Sequence, residues 1–186
     1  GSLSNLTEHL PWMNKFAVWI QPFLNTPIPV LGICFGHQLL ADSFGGNVDF
    51  HPKGKEIGNV DVHLTEEGKK DPLFSGLAPV FPAFVTHSQT ILDLPPQAVR
   101  LAYNSFEPTH AFRFGNNIWG IQFHPEFNGE ITRFCIEKQQ DDLAAQGSDP
   151  QQLMKSVKEN ECGKTLLQRF RDLHQEMHQS RFEISG

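Results

Sequence analysis

This sequence predicts an α/β fold in which a parallel sheet is flanked by helices and followed by a helical tail, and three observations carry that prediction. Thr26 to Cys34 is a short apolar, β-branched run led by prolines, with the length and character of a strand buried on both faces, the usual mark of a parallel sheet. Short strand candidates follow at 57–64, 81–85, 98–103, 110–114 and 117–123, separated by Gly, Pro and Asn. The last third changes to three helical segments, 129–145, 149–159 and 164–179. The 186 residues read as one domain, core 1–128 and tail 129–186, with no repeat or linker.

In chain order, residues 9–24 place Trp12, Phe16, Trp19, Ile20 and Phe23 at helical spacing, with Pro11 where a first turn tolerates it. The elbow strand spans 29–33. From Gly36 the spacing of Leu39, Leu40 and Phe44 turns helical and stops at Gly45-Gly46, a left-handed cap. Residues 110–123 read as a hairpin turned at Gly115-Asn116-Asn117. Gly147-Ser148-Asp149-Pro150 and Cys162-Gly163 break the tail into its helices.

Composition narrows the function. With 15 basic against 21 acidic residues, a net charge of -6 and no cluster of Lys and Arg, the chain lacks a nucleic-acid footprint. It has no apolar run near the ~20 residues of a membrane span and no charged-then-apolar leader pattern. The three cysteines, Cys34, Cys135 and Cys162, are odd in number and widely spaced, which suits reduced thiols in the cytoplasm and leaves one free for chemistry.

Gly32-Ile33-Cys34-Phe35-Gly36, between a strand and a helix, has the form of a nucleophile elbow with Cys as nucleophile. Small residues two before and two after relieve crowding in a strained turn, and the helix N-terminus favours thiolate. Alone, the pattern also fits a buried structural Cys. Ninety residues on, the run from Gly120 to Phe127 puts His124 and Glu126 two apart at a strand end, able to share one face. A cysteine nucleophile needs a base and a group that orients the base, and Cys34, His124 and Glu126 fill those roles. Alone, His-Pro-Glu is equally a solvated turn; the two blocks together favour chemistry.

The blocks from Pro29 to Gln38 (PVLGICFGHQ) and from Gly120 to Glu126 (GIQFHPE) resemble the two signatures of the class I glutamine amidotransferase family. Lys55-Glu56-Ile57-Gly58, Leu64-Thr65, Gly68, Asp71 to Phe74 and Gly163 to Phe170 resemble its stand-alone branch akin to the amidotransferase domain of GMP synthetase. The resemblance implies a flavodoxin-like sheet, a Cys-His-Glu triad and hydrolysis of the glutamine amide through a thioester. It also implies that the Phe35 N–H forms half of the oxyanion hole, and that Gln38 with the turn Thr86-His87-Ser88-Gln89 holds the amino-acid end of glutamine. It implies no cofactor or metal.

The family opens with a strand, helix and strand leading to a loop that gives the second oxyanion donor. Gly1-Ser2 is read as that loop, Gly1 as the donor, with about fifty residues of the natural protein expected before it. Three signals are set aside. His174 and His178 stand four apart without an H-E-x-x-H pattern, so a solvated helix face is expected there. Glu161 to Thr165 ends like a phosphate loop, yet Lys158 stands where its first Gly belongs, so a helix N-terminus is expected. Cys135 is expected in the core. Three functions compete: a glutaminase delivering ammonia to an acceptor on a synthetase subunit, a hydrolase of γ-glutamyl compounds, and a non-catalytic redox sensor. The His124–Glu126 pair argues against the sensor, which needs no aligned base.

Overall fold

The structure is a computed structural model and describes residues 5–183. After a single turn at Leu6–Glu8 the elements are α1 (Pro11–Ile20), a tight turn at Gln21–Asn25, β1 (Val30–Ile33), α2 (Phe35–Ser43), β2 (Asn47–Phe50), β3 (Glu56–Leu64), α3 (Glu66–Lys70), β4 (Val80–His87), β5 (Gln89–Asp93), β6 (Val99–Tyr103), β7 (Ala111–Phe114), β8 (Ile118–Ile121), α4 (Gly129–Lys138), α5 (Gln140–Ala145), α6 (Pro150–Ser156) and α7 (Cys162–Glu183). Six strands form one mixed sheet in the order β1-β8-β7-β6-β3-β4, and β2 pairs with β5 in a small second sheet.

Helices cover both faces of the large sheet. On one, Ile20 of α1 with Leu40 and Ala41 of α2 packs onto Ile91, Phe112 and Ile118. On the other, Leu166 and Leu173 of α7 close over Leu73, Phe74, Trp119, Ile121 and Phe123. Buried Asp71 ties this side together, accepting from Trp119 Nε1 at 3.0 Å and from Arg113 Nε at 2.8 Å. A third cluster packs α4 to α6 through Ile136, Leu143 and Val157 against Ile57 and Phe84. Among the described residues no helix is long and apolar enough to cross a membrane.

The α/β class, the elbow strand and its helix, the hairpin of β7 and β8 and the helical C-terminal region match the sequence reading. Five details are corrected. The parallel expectation holds for β1 with β8 alone; the rest of the large sheet is antiparallel, because its strands are joined by hairpins and short connections. β1 pairs along one edge only among the described residues, so Val30, Leu31 and Ile33 are half-buried rather than covered on both faces. The helix expected over 9–24 ends at Ile20, before Pro22, and it buries Met13 and Ile20 while Trp12 and Trp19 stand 44% and 58% exposed. The sequence does not predict strands β2 and β5, since their two-stranded patch leaves most of β2 in solvent and shows no clean alternation. The segment 129–145 divides at Gln139, whose Nε2 donates both to Cys135 O of α4 and to Thr86 Oγ1 of β4.

Candidate active site

The elbow grows out of the parallel pair. Cys34 N–H donates to Ile121 O at 2.8 Å, one step past the end of β1, and the chain then reverses with φ 51° and ψ -104° at Cys34 before Phe35 opens α2. A non-glycine residue in that conformation is strained, and such strain persists only where the surroundings hold it. The turn fits so closely that a Cβ on Gly32 would lie 2.5 Å from Gly36 O and from Leu40 Cδ1. Gly36 differs: a Cβ there meets nothing within 4 Å, so the expected need for a small side chain on both sides applies to Gly32 alone. The crowding lies where the strand backs onto the first turn of α2.

The second half is set by the exit from β8. That strand ends at Ile121 rather than 123, and His124 N–H donates to Phe84 O of β4 at 2.8 Å, bringing the loop across the sheet edge. His124 and Glu126 thus sit in a turn just beyond the strand, with His124 Nδ1 2.7 Å from Glu126 Oε1. The Phe127 ring stacks on the imidazole at 4.1 Å between centroids, fixing its plane. α7 supports the turn from behind, where a Cβ on Gly163 would stand 2.3 Å from Pro125 O.

These elements bring Cys34, His124 and Glu126 together. His124 Nε2 is buried without a hydrogen-bond partner, Cys34 is near enough to act on the charge of His124, and the Cys34 thiol lies 3.8 Å from Thr86 O. Burial works against an imidazolium at His124, but Cys34 and Glu126 outweigh it and raise its pKa to about 9. For Glu126 burial favours the acid, yet His124 beside it holds the carboxyl below its ordinary value. The arrangement can exchange a proton between Cys34 and His124 while Glu126 retains the proton on Nδ1. Cys135 and Cys162 have no such partner, and burial pushes both thiols up.

A cavity of about 480 Å³ opens on Cys34 and His124. Phe35 and Gln38 of α2, Thr86 to Gln89, and Phe134, Lys138 and Gln139 at α4 line it. Gln38 is buried, and its Nε2 donates to Gln89 O and to Gln122 Oε1, both at 2.9 Å. The His87 ring is turned inward onto Glu56 at 2.9 Å, while Ser88 lies on the wall. Gly1 and Ser2 lie outside the described residues. Half-buried Cys135 lies on the wall as well as against the α4 cluster, and the stretch from Glu161 to Thr165 is a helix N-terminus as expected, although α7 begins at Cys162 and so takes in the Cys162-Gly163 pair read as a break. Among the described residues no group of three or more His, Cys, Asp or Glu side chains is arranged to hold a metal ion. Sequence reasoning gave no role to Phe127 or to the α4 wall. A ring one residue past His-Pro-Glu was the available signal for Phe127; the wall needs the tertiary packing of α4.

Residues 11–137 match the protein family described as glutamine amidotransferase class-I. The chain belongs to the class I glutamine amidotransferase family. Within it the chain is 34% identical over 140 residues to gamma-glutamyl peptidase 5 of Arabidopsis thaliana, a match covering 74% of this chain and 56% of that protein. It is 38% identical over 128 residues to the glutamine-hydrolyzing GMP synthase subunit of Sulfurisphaera tokodaii, covering 68% of this chain and 63% of that protein. The chain therefore spans somewhat over half the length of these relatives. A crystal structure of a glutamine amidotransferase from Thermotoga maritima superimposes with a TM-score of 0.71 at 29% identity, over 95% of this chain and 74% of that one. This amidotransferase-family chain thus has the family's flavodoxin-like α/β architecture.

Proposed function

We propose that the chain is an amidotransferase domain that hydrolyses the side-chain amide of glutamine with Cys34, His124 and Glu126 as its triad. The observation that carries this reading is a cysteine on a positive-φ elbow facing an imidazole whose other nitrogen is 2.7 Å from a carboxylate. Cys34 sulfur attacks the γ-carbonyl carbon, and the nitrogen leaves as ammonia with a proton from His124, giving a γ-glutamyl thioester. Water, giving a proton to His124, then attacks that thioester; glutamate leaves and the Cys34 sulfur is restored. Glu126 orients the imidazole throughout. The Phe35 N–H, at the first position of α2, would donate to the oxyanion, with Gly1 as the expected second donor. Gln38 and the turn from Thr86 to Gln89, including His87 and Ser88, form the wall against which the amino-acid end would rest. The released ammonia would pass to an acceptor on a synthetase subunit, in keeping with the similarity to the GMP synthase relative.

A second reading, hydrolysis of γ-glutamyl peptides or amines, is favoured by the similarity to gamma-glutamyl peptidase 5. It uses the same thioester and differs in the amine that leaves. Release of glutamate from glutamine and from a panel of γ-glutamyl dipeptides separates the two.

Limiting iodoacetamide at neutral pH is expected to modify Cys34 first, since burial keeps Cys135 and Cys162 as thiols. Peptide mapping checks the order. Faster labelling of Cys135 or Cys162 would remove the basis for Cys34 as nucleophile.

A further inference from the structure

Behind the cavity wall lies a buried ionisable cluster that the triad does not use. Glu56 at the start of β3, His87 at the end of β4, and Glu107 and His110 before β7 are each less than a tenth exposed, as is His37 of α2 nearby. Glu56 Oε2 lies 2.9 Å from His87 Nε2 and 3.4 Å from His110 Nε2, while its Oε1 accepts from Asn104 Nδ2 at 2.7 Å. Glu107 Oε1 accepts from Thr109 N–H, and its Oε2 lies 3.9 Å from His87 Nδ1. That Nδ1 is also 3.0 Å from Gln89 O.

His87 therefore has acceptors on both ring nitrogens: the Glu56 carboxylate on one side and the Gln89 carbonyl on the other, with Glu107 Oε2 beyond hydrogen-bond reach at 3.9 Å. A neutral imidazole donates from one nitrogen only, so just the doubly protonated ring satisfies both contacts. The other two histidines of the cluster cannot supply the positive charge at neutral pH: burial lowers His37 to about 3 and His110 to about 4. A Glu56 carboxylate, buried yet held below its ordinary pKa by its hydrogen bonds and charged neighbours, would be costly without a cation.

We propose that His87 is held as an imidazolium by Glu56 and acts as a positioning residue for the turn from Thr86 to Gln89. Through Nδ1–H it fixes the Gln89 carbonyl, which Gln38 holds from the other side, and the same turn sets Thr86 O against the Cys34 thiol. Glu56 acts through His87 and touches no substrate. The part of this inference that concerns glutamine rests on the function proposed above; the charge on His87 does not.

The charge is read directly from long-range proton–nitrogen correlation spectra of the labelled full chain, with His87 assigned by its absence in His87→Gln. Protons on both His87 ring nitrogens at pH 7.5 are expected in the wild type, and a neutral ring in Glu56→Gln. A neutral wild-type ring overturns the proposal, and so does a persistent imidazolium in Glu56→Gln; if that variant fails to fold, the wild-type spectrum decides. The positioning role is read from the glutamine concentration that half-protects Cys34 from iodoacetamide. In Glu56→Gln it should rise about tenfold, measured against that variant's own unprotected rate of alkylation, the loss expected when one charge-assisted hydrogen bond no longer fixes the turn. Unchanged protection in that variant overturns the positioning role. Failure of glutamine to protect the wild type would overturn the functional reading and that role together, while the spectra test the charge separately.

Discussion

Cys34→Ala and His124→Ala are each expected to lower glutamine hydrolysis by a factor on the order of 10,000 or more, because each removes a group that makes or breaks a bond. Glu126→Gln should lose less, or at most as much. Its carboxylate holds the imidazole 2.7 Å away but exchanges no proton with substrate, and triad effects are not additive. An unchanged rate in Glu126→Gln would remove it from the triad. The pH profile supplies an independent check. With His124 raised to about 9, the imidazolium that protonates the leaving nitrogen persists through neutrality, so the alkaline limb of kcat/KM should fall near pH 9. A limb near 6.5 would mean that Cys34 and Glu126 do not bear on His124.

The second large effect concerns stability in acid. His37 and His110 are buried with pKa values lowered to about 3 and about 4, against 6.5 for an ordinary histidine. The unfolded chain therefore binds two protons near pH 6.5 that the folded chain refuses until near pH 4 and pH 3. Stability from this source is complete above pH 6.5 and falls as pH drops through that window, by several kcal/mol in all. Urea unfolding at a series of pH values measures it, and His37→Gln should make the slope shallower by about one proton between pH 6.5 and 4. His124, raised rather than lowered, acts in the opposite sense: its contribution is complete below 6.5 and is lost as pH rises toward 9. A stability that does not change between pH 7 and 4 would contradict the burial of His37 and His110.

What could be read in advance was local. The Gly32–Gly36 block announces its strand, strained turn and helix within a few residues, and His124 and Glu126 meet because they are two apart after a strand. Helical spacing alone does not show which aromatics of α1 are covered: Trp12 and Trp19 are exposed, while Met13, Phe16 and Ile20 pack against the core. The bond from Gln139 at the helix break to Thr86 joins residues 53 apart, and no sequence window contains both. The cluster behind the wall is legible only in three dimensions. The antiparallel register of β3 and β4 sets Glu56 opposite His87, and the loop between β6 and β7 carries Glu107 and His110 to them.

The covalent step can be examined directly. Full-length protein mixed with glutamine, or with a γ-glutamyl dipeptide, is quenched in acid during turnover and its peptides are mapped by mass. A γ-glutamyl adduct on the peptide bearing Cys34, discharged by hydroxylamine as a thioester would be and absent in Cys34→Ala, is the result this account predicts. Glutamate release that survives Cys34→Ala, or an adduct on Cys135 or Cys162 in place of Cys34, would contradict it.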